Sequence, residues 1–332
     1  MESTVKSRFE SVQFGKPQRY KNTVVLPLIA PNGAFGYRTL GEALATSDIT
    51  ITEVSAAGSV PELLVINRGK TPVLLIDGEE LAGAKQNRVL NTSILVKEFS
   101  ETRIPVSCTE QGRWSYASPS FAESGNVMAQ KARALKSRSV SRSLEASASY
   151  RSDQGEVWHG ISELQAKASV HSPTSAMNDV FKSCEDDLRQ SAEVFRCVPG
   201  QVGLLAFTND RPVGFDLVSL GSAYASIHNK LVRSYALESL LEARKPDAPT
   251  QDFDGMAKNF MNRVAATEER RFPSVGCGFD CRYRGEALAG AALVHADEVI
   301  HMACFQIDAP SRETTHTMAS LRNRRFYYHY RE

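Results

Sequence analysis

Short apolar runs dominate the first third of the chain and constrain its fold more than any other feature. They occur in "TVVLPLIA", "ITITEV", "VPELLVINRGKTPVLLIDG", "NRVLNTSILV" and "RIPVSCTE". Runs this short, rich in β-branched residues and bounded by turn residues, are typical of strands rather than helices. Several such strands in succession predict a β-sandwich or a barrel-like sheet.

The later parts of the chain have a different pattern. A Ser- and Ala-rich stretch is followed by helical periodicity in "EVWHGISELQAKA" and "PTSAMNDVFKSCEDDLRQ", and strand-like runs then alternate with two further helices. Strands, helices and strands again predict an α+β protein. We expect an N-terminal tail at 1–19, a β-rich part at 20–115, a connection with helices at 116–195, an α+β part at 196–308 and a C-terminal tail at 309–332.

The Ser- and Ala-rich stretch also carries regularly interspersed cations. They are Lys131, Arg133, Lys136, Arg138 and Arg142. Small polar residues with scattered charges favour a solvated, partly helical connection. The alternative is an anion-binding arm that becomes ordered over a phosphate-bearing ligand.

The bulk composition excludes several classes of partner. With 42% hydrophobic residues, 23% charged residues and a formal net charge of +1, the chain offers no electrostatic reason to bind nucleic acid or an anionic membrane. No apolar run is long enough for a membrane helix, and the polar N-terminus does not resemble a secretory signal. We therefore expect a cytoplasmic protein. The polar, arginine-rich segment 309–332 is expected either to be disordered or to pack on a neighbouring copy, which leaves a homo-oligomer open.

Cysteine, histidine and two "GFD" sequences give weaker signals. Six cysteines in 332 residues do not form a disulfide scaffold, and the spacing of Cys277 and Cys281 favours one face of a strand over half of a zinc site. His301, in "VIHMACF", is predicted to be a core residue of a strand. Asp216 and Asp280 each follow "GF", and turn capping is the favoured interpretation for both.

The stretch "VLLIDGEELAGAKQNRVLNTSILV", residues 73–96, places an unusual number of polar side chains between two apolar strands. Asp77-Gly78 is a turn signal, and two glutamates follow it. Side-chain alternation puts Gln86 and Arg88 on one side of the next strand, with Lys85 and Asn87 on the other. A polar cluster is therefore predicted at one end of the sheet.

A second segment, "IPVSCTEQGRW", brings a carboxylate to the inner side of a strand. Ile104, Val106, Cys108 and Glu110 share one face, and the two apolar residues mark it as inward. A buried carboxylate is costly unless a cation or several donors meet it. The candidates for that role are Lys85, Arg88 and Arg113.

The two segments together form the candidate site. The predicted catalytic residues are Glu80, Glu110 and Cys108, because carboxylates can exchange protons and a thiolate is a nucleophile. Cations bind phosphate and an indole can stack on a base. The predicted ligand-binding residues are Glu79, Lys85, Gln86, Asn87, Arg88, Gln111, Arg113 and Trp114.

Three interpretations of this cluster remain open. It could be an active site, it could bind a ligand or a protein partner without turnover, or it could be a buried ion-pair network that only stabilises the sheet. No P-loop, G-x-S-x-G or H-E-x-x-H sequence narrows the choice, and no metal ligand is assigned. Carboxylates nevertheless leave Mg²⁺ as a conceivable cofactor.

The same two segments resemble the signature segments of a bacterial family. This is the ARG and Rhodanese-Phosphatase-superfamily-associated Protein domain, where ARG stands for ADP-ribosylglycohydrolase. The resemblance extends over about residues 20–307 and includes "EVWHGI", "PVGFDLV" and "VIHMACF". It implies one family domain and an association with enzymes of ADP-ribose and NAD-derived nucleotide metabolism. The expectation is therefore a protein that binds or acts on a small phosphate-bearing ligand of that kind.

Overall fold

The structure, a computed structural model, describes residues 3–243 and 251–307 of the 332-residue chain. The predicted tail at 309–332 lies outside the described residues. The described helices are α1 Ser3–Glu10, α2 Leu40–Ala45, α3 Gln130–Ser147, α4 Gln154–Lys167, α5 Met177–Ser183, α6 Glu185–Val194, α7 Gly221–Leu241 and α8 Phe253–Ala265.

The strands alternate with these helices along the chain. They are β1 Gln13–Phe14, β2 Gln18–Tyr20, β3 Thr23–Ile29, β4 Arg38–Thr39, β5 Ile49–Glu53, β6 Glu62–Asn67, β7 Val73–Leu75, β8 Glu79–Gly83, β9 Arg88–Leu90, β10 Ile94–Val96, β11 Ser100–Cys108, β12 Phe121–Val127, β13 Gln201–Thr208, β14 Arg211–Val218, β15 Glu268–Pro273, β16 Phe279–Gly285, β17 Leu288–His295 and β18 Glu298–Gln306.

A nine-stranded sheet combines strands from both ends of the chain. Its order is β1-β3-β13-β14-β18-β17-β16-β15, with β2 also paired to β3. Both faces are covered, so β13 is apolar on both sides. Leu204 and Ala206 join the core that includes α7, whereas Leu205 and Phe207 join the core that includes α8. This double burial explains the uninterrupted apolar run in the sequence of β13.

A six-stranded sheet forms the second unit of the fold. Its order is β12-β8-β9-β11-β6-β5, and it curls until β12 contacts β5. The inner face, which carries Leu81 and Leu90, packs with β7 and β10 into a separate apolar core. The prediction of a barrel-like sheet within an α+β fold is confirmed.

The long strand β11 connects the two halves of this sheet. Residues 100–105 pair with β6, and residues 106–108 pair with β9. Gln154, at the start of α4, accepts a hydrogen bond from the Cys108 N–H at 2.8 Å and donates to the Cys108 carbonyl at 2.9 Å. The glutamine amide thus forms the hydrogen bonds that the Cys108 N–H and carbonyl need, because β6 does not extend as far as Cys108.

The Ser- and Ala-rich stretch is not a solvated connection, so that prediction is wrong for its helical part. It forms α3, in which Arg133 and Lys136 are fully buried together with several serines and alanines. Small side chains allow a helix to approach its neighbours closely. The anion-binding alternative is not supported for these two cations either, because both are paired with carboxylates of the chain itself.

Candidate functional site

Polar side chains replace the apolar core at one end of the six-stranded sheet. Arg88 in β9 pairs across the sheet with Leu81 of β8 and Cys108 of β11, so all three share the inner face. Glu53 ends β5 on the face of Ile51, which also belongs to the inner core. We call the end defined by Glu53, Arg88 and Cys108 the mouth of the sheet.

Arg88 is a fully buried cation that has no anionic partner in the described part of the chain. Its Nη1 donates to Gln86 Oε1 at 2.9 Å and to the Asn87 carbonyl at 3.4 Å, whereas Nε and Nη2 have no hydrogen-bond partner. Within residues 3–243 and 251–307, no ion pair joins Arg88 to a carboxylate. Burial lowers the pKa of Arg88, and the nearby carboxylate of Glu53 opposes that shift. Such a group is costly to bury unless an anion meets it.

An aromatic and cationic cluster covers the mouth. Lys85 Nζ lies 5.2 Å from the ring centroids of both Trp114 and Tyr116, and Arg88 Cζ lies 5.7 Å from the Trp114 ring. The Lys85 ammonium also donates to the Ala57 carbonyl at 2.6 Å. Trp114 and Tyr116 are 48% and 52% exposed, so their ring surfaces remain accessible to a ligand.

Glu53, which the sequence analysis missed, stands beside these residues. Its Oε1 accepts a 3.4 Å hydrogen bond from the Lys85 N–H, but the buried Oε2 has no partner. Gly58, at φ +78°, approaches the same place: a Cβ there would lie 3.4 Å from both Glu53 Oε2 and the Trp114 ring, and 3.1 Å from Lys85 Cδ. The alternation in "ITITE" signals an inward Glu53, although nothing in that segment alone indicates a site.

Glu110 meets the donors that its inward position requires. Its carboxylate accepts from Arg113 Nη2 at 2.7 Å, from the Asn87 N–H at 3.2 Å and from Thr174 Oγ1 at 3.1 Å. Burial raises the pKa of Glu110, but these partners outweigh it and hold the pKa below its ordinary value. Of the three cations proposed for this role, Arg113 is the one that forms the ion pair.

Arg113 and Glu110 fix the loop that carries Trp114. Besides Glu110, Arg113 donates to the carbonyls of Gly83 and Ala84 and to Asn87 Oδ1. The loop after β11 is therefore fastened to the turn between β8 and β9. Gln111 is exposed on the same loop.

The two glutamates of β8 are separated from the mouth. Glu80 pairs across the sheet with Val89, so it lies on the opposite face from Arg88. Its Oε1 accepts from Thr109 Oγ1 at 2.9 Å, Oε2 has no partner, and burial raises its pKa to about 7. Glu79 instead pairs with Lys230 of α7 at 2.6 Å. The predicted residues therefore form more than one cluster.

Cys108 lies at the mouth as a protonated thiol. Its Sγ donates to Gln86 Oε1 at 3.3 Å and to the Glu110 carbonyl at 3.2 Å. Burial raises the pKa of the Cys108 thiol. Because the thiolate is the nucleophilic form, this environment does not favour nucleophilic catalysis by Cys108.

A second, larger network lies in the core between α3 and the sheets. Arg133 makes two hydrogen bonds to Asp216, at 2.9 and 2.7 Å, and a third to Asp77 at 2.9 Å. Lys136 also pairs with Asp77, while His301 Nε2 lies 3.1 Å from Asp216 and His301 Nδ1 lies 2.7 Å from Ser93 Oγ. Each cation in this network is hydrogen-bonded to a carboxylate of the chain, so the network is complete without a ligand.

Asp216 and Asp280 are not turn caps, so that interpretation is wrong for both. They lie within β14 and β16, and each pairs with a buried arginine, Arg133 and Arg282 respectively. The prediction that His301 is a core residue is confirmed, since it is buried in β18. Cys281 is buried in β16, whereas Cys277 precedes that strand.

Other potential sites lie away from the mouth. A cavity of about 650 Å³ is bounded by Glu238, Arg211 and Arg263 and shares no lining residue with the mouth. Among the residues that the structure describes, no group of three or more His, Cys, Asp or Glu side chains is arranged to hold a metal ion. None of the described helices is both long and apolar enough to cross a bilayer.

Comparison with known proteins places the chain in a family. A search of curated proteins and a search of solved structures each gave no significant match. A family model for the ARG and Rhodanese-Phosphatase-superfamily-associated Protein domain matches residues 11–305, including every residue of the mouth. The family name links it loosely to ADP-ribose-related enzymes. Because the match covers most of the 332 residues, the chain belongs to the ARG and Rhodanese-Phosphatase-superfamily-associated Protein domain family.

Proposed function

We propose that the protein binds a phosphate-bearing nucleotide of the ADP-ribose class at the mouth of the six-stranded sheet. Barrel-like sheets commonly hold ligands at such an end. The family name supports the choice of ligand by association only, whereas the chemistry of the mouth supports it directly.

The buried, unpaired guanidinium of Arg88 carries the proposal. Two of its nitrogens lack acceptors, although a charged group in a protein interior is normally paired. Two oxygens of a phosphate would supply the acceptors that Nε and Nη2 of Arg88 lack, because a guanidinium binds phosphate with two parallel hydrogen bonds. Lys85 would add a second cation beside it.

The aromatic residues favour a nucleotide over a simple anion. Trp114 offers an exposed ring next to Lys85 and Arg88, and Tyr116 lies on the other side of the Lys85 ammonium. An indole ring can stack on any base, which contributes roughly 1–3 kcal/mol in single-stranded nucleic-acid complexes. The base would therefore lie at the surface and the phosphates towards Arg88.

The geometry favours binding over acid–base turnover. The Glu110 carboxylate is occupied by Arg113, Asn87 and Thr174, so its role in the proposal is to position the Trp114 loop. Glu80 could exchange a proton near neutral pH, but it faces away from the mouth. Neither of these two predicted catalytic glutamates therefore provides a free general acid or base at the mouth.

Tryptophan fluorescence provides a direct test. The chain has two tryptophans, so a Trp158→Phe background leaves Trp114 as the reporter. We expect ADP-ribose to quench this fluorescence in a saturable way, because the base stacks on the indole. Arg88→Met in the same background should weaken binding at least about tenfold, the typical order of loss for a charged hydrogen-bonding partner.

Arg103→Met is the matched control, because Arg103 lies on β11 of the same sheet with a side chain that is 72% exposed. This variant should bind like the parent. Unchanged affinity in Arg88→Met, or an equal loss in both variants, would contradict a phosphate site at Arg88.

A further inference from the structure

We propose that Glu53 selects the ligand by accepting a hydrogen bond from a free ribose hydroxyl, so that the mouth rejects nucleotides phosphorylated at that hydroxyl. This inference rests on the proposed function, since it concerns the same site. It starts from a second anomaly at Glu53, a residue that is only 8% exposed: its buried carboxylate oxygen Oε2 accepts no hydrogen bond from any of the described residues.

Glu53 and Arg88 do not satisfy each other. No ion pair joins them within the described part of the chain, although the charge of Glu53 acts on the pKa of Arg88. One group lacks a donor and the other lacks acceptors. A ligand that completes both must carry an anionic group and a hydrogen-bond donor a short distance apart. A phosphorylated ribose has both, because its hydroxyls donate and its phosphate accepts.

The position of Glu53 fits the ribose next to the base. Glu53 Oε2 and the Trp114 ring both lie 3.4 Å from the point that a Cβ on Gly58 would occupy. In a nucleotide the ribose connects the base to the phosphates. If the base stacks on Trp114 and the phosphates bind Arg88 and Lys85, the ribose between them lies next to the carboxylate of Glu53.

A carboxylate at this position discriminates through charge. An ionised carboxylate only accepts hydrogen bonds, so it suits a hydroxyl and repels a phosphate. A 2′-phosphate would bring negative charge against a buried carboxylate, and like-charge contacts in a desolvated site oppose binding strongly. The 2′-hydroxyl is attached to the carbon next to the one that carries the base, so the ligand class is a nucleotide in which this hydroxyl is free.

Isothermal titration of the full chain with ADP-ribose and with 2′-phospho-ADP-ribose tests the proposal. The wild type should bind ADP-ribose at least about tenfold more tightly than 2′-phospho-ADP-ribose. Glu53→Gln should bring the two affinities within about threefold, because the neutral amide removes the repulsion and can donate to phosphate. Glu62→Gln, which changes a partly exposed carboxylate on the neighbouring strand β6, should keep the wild-type ratio of the two affinities.

The outcomes separate the two proposals. Binding of neither ligand to the wild type would overturn both the nucleotide site and the role of Glu53. Equal binding of both ligands to the wild type would overturn only the role of Glu53. An equal loss of affinity for both ligands in Glu53→Gln would also overturn it, since Glu53 would then contribute to binding without discriminating between the two ligands. Thermal unfolding of each variant confirms that it is folded during the titration.

Discussion

At the scale of single residues, two buried arginines have opposite relations to stability. Arg133 is fully buried and hydrogen-bonded to Asp77 and Asp216, whereas Arg88 is equally buried and has two unpartnered nitrogens. The charge of Arg133 is therefore paired within the protein, whereas no carboxylate among the described residues pairs with the charge of Arg88. A group that reduces stability is typical of a functional site, because its compensation comes from a ligand.

Arg88→Met should therefore stabilise the ligand-free protein. Methionine fills a similar volume and removes an uncompensated charge, so we expect the free energy of unfolding to rise by about 1–3 kcal/mol, within the range for replacing buried ionic groups by apolar ones. Urea denaturation of the ligand-free wild type and variant measures this difference. A loss of stability would show that Arg88 is part of a structural network instead.

At the scale of elements, α3 depends on its cations for its position in the core. Arg133 pairs with Asp77, which follows β7, and with Asp216 in β14. Lys136 pairs with Asp77 as well. Asp77 opens the polar stretch 77–88, so part of that stretch serves to hold α3 rather than to bind a ligand. Burial raises the pKa of Asp216, but Arg133 and His301 outweigh it and hold the pKa well below the ordinary range.

Arg133→Met should destabilise the protein by about 3–5 kcal/mol, the usual loss when one partner of a buried pair is removed. It leaves Asp216 and Asp77 without their shared cation. Guanidinium chloride denaturation measures the loss, and Arg142→Met, at an exposed position on the same helix, is the control. A loss below about 1 kcal/mol would mean that Lys136 and His301 compensate both carboxylates.

Sequence patterns predicted the helices and strands better than the side-chain pairs that join them. Strands β5, β6, β9 and β11 of the six-stranded sheet follow from short apolar runs, and the inward face of Cys108 and Glu110 follows from parity, whereas β8 and β12 were not predicted as strands. The burial of α3 could not be predicted, because serines and alternating cations on a helix are typical of a solvated face. Arg133 and Asp216 are separated by 83 residues, and such a pairing arises only from the tertiary fold. Glu53 was missed for the same reason.

At the scale of the whole molecule, buried carboxyl groups link stability to pH. Burial raises the pKa of both Glu80 and Glu238 to about 7. A carboxyl group with a raised folded-state pKa binds its proton more tightly in the folded protein. Its contribution is therefore most favourable below the unfolded pKa of about 4.3 and declines as the pH rises towards 7. Near neutral pH both groups reduce the stability of the fold.

Glu80→Gln should remove the destabilisation that the buried Glu80 carboxyl group causes near neutral pH, so the effect of the substitution on stability should depend on pH. At pH 8 the wild-type carboxyl group is ionised in a buried position, so the variant should be more stable by up to roughly 3–4 kcal/mol, because the pKa is about 7 in the folded state against about 4.3 in the unfolded state and each pKa unit corresponds to about 1.36 kcal/mol. At pH 5 Glu80 is already protonated in the folded state, and the gain should largely disappear. Urea denaturation at both pH values measures the difference, with Glu101→Gln, exposed on β11, as the control. Equal effects of Glu80→Gln at pH 5 and pH 8 would show that Glu80 titrates at its ordinary pKa in the folded protein.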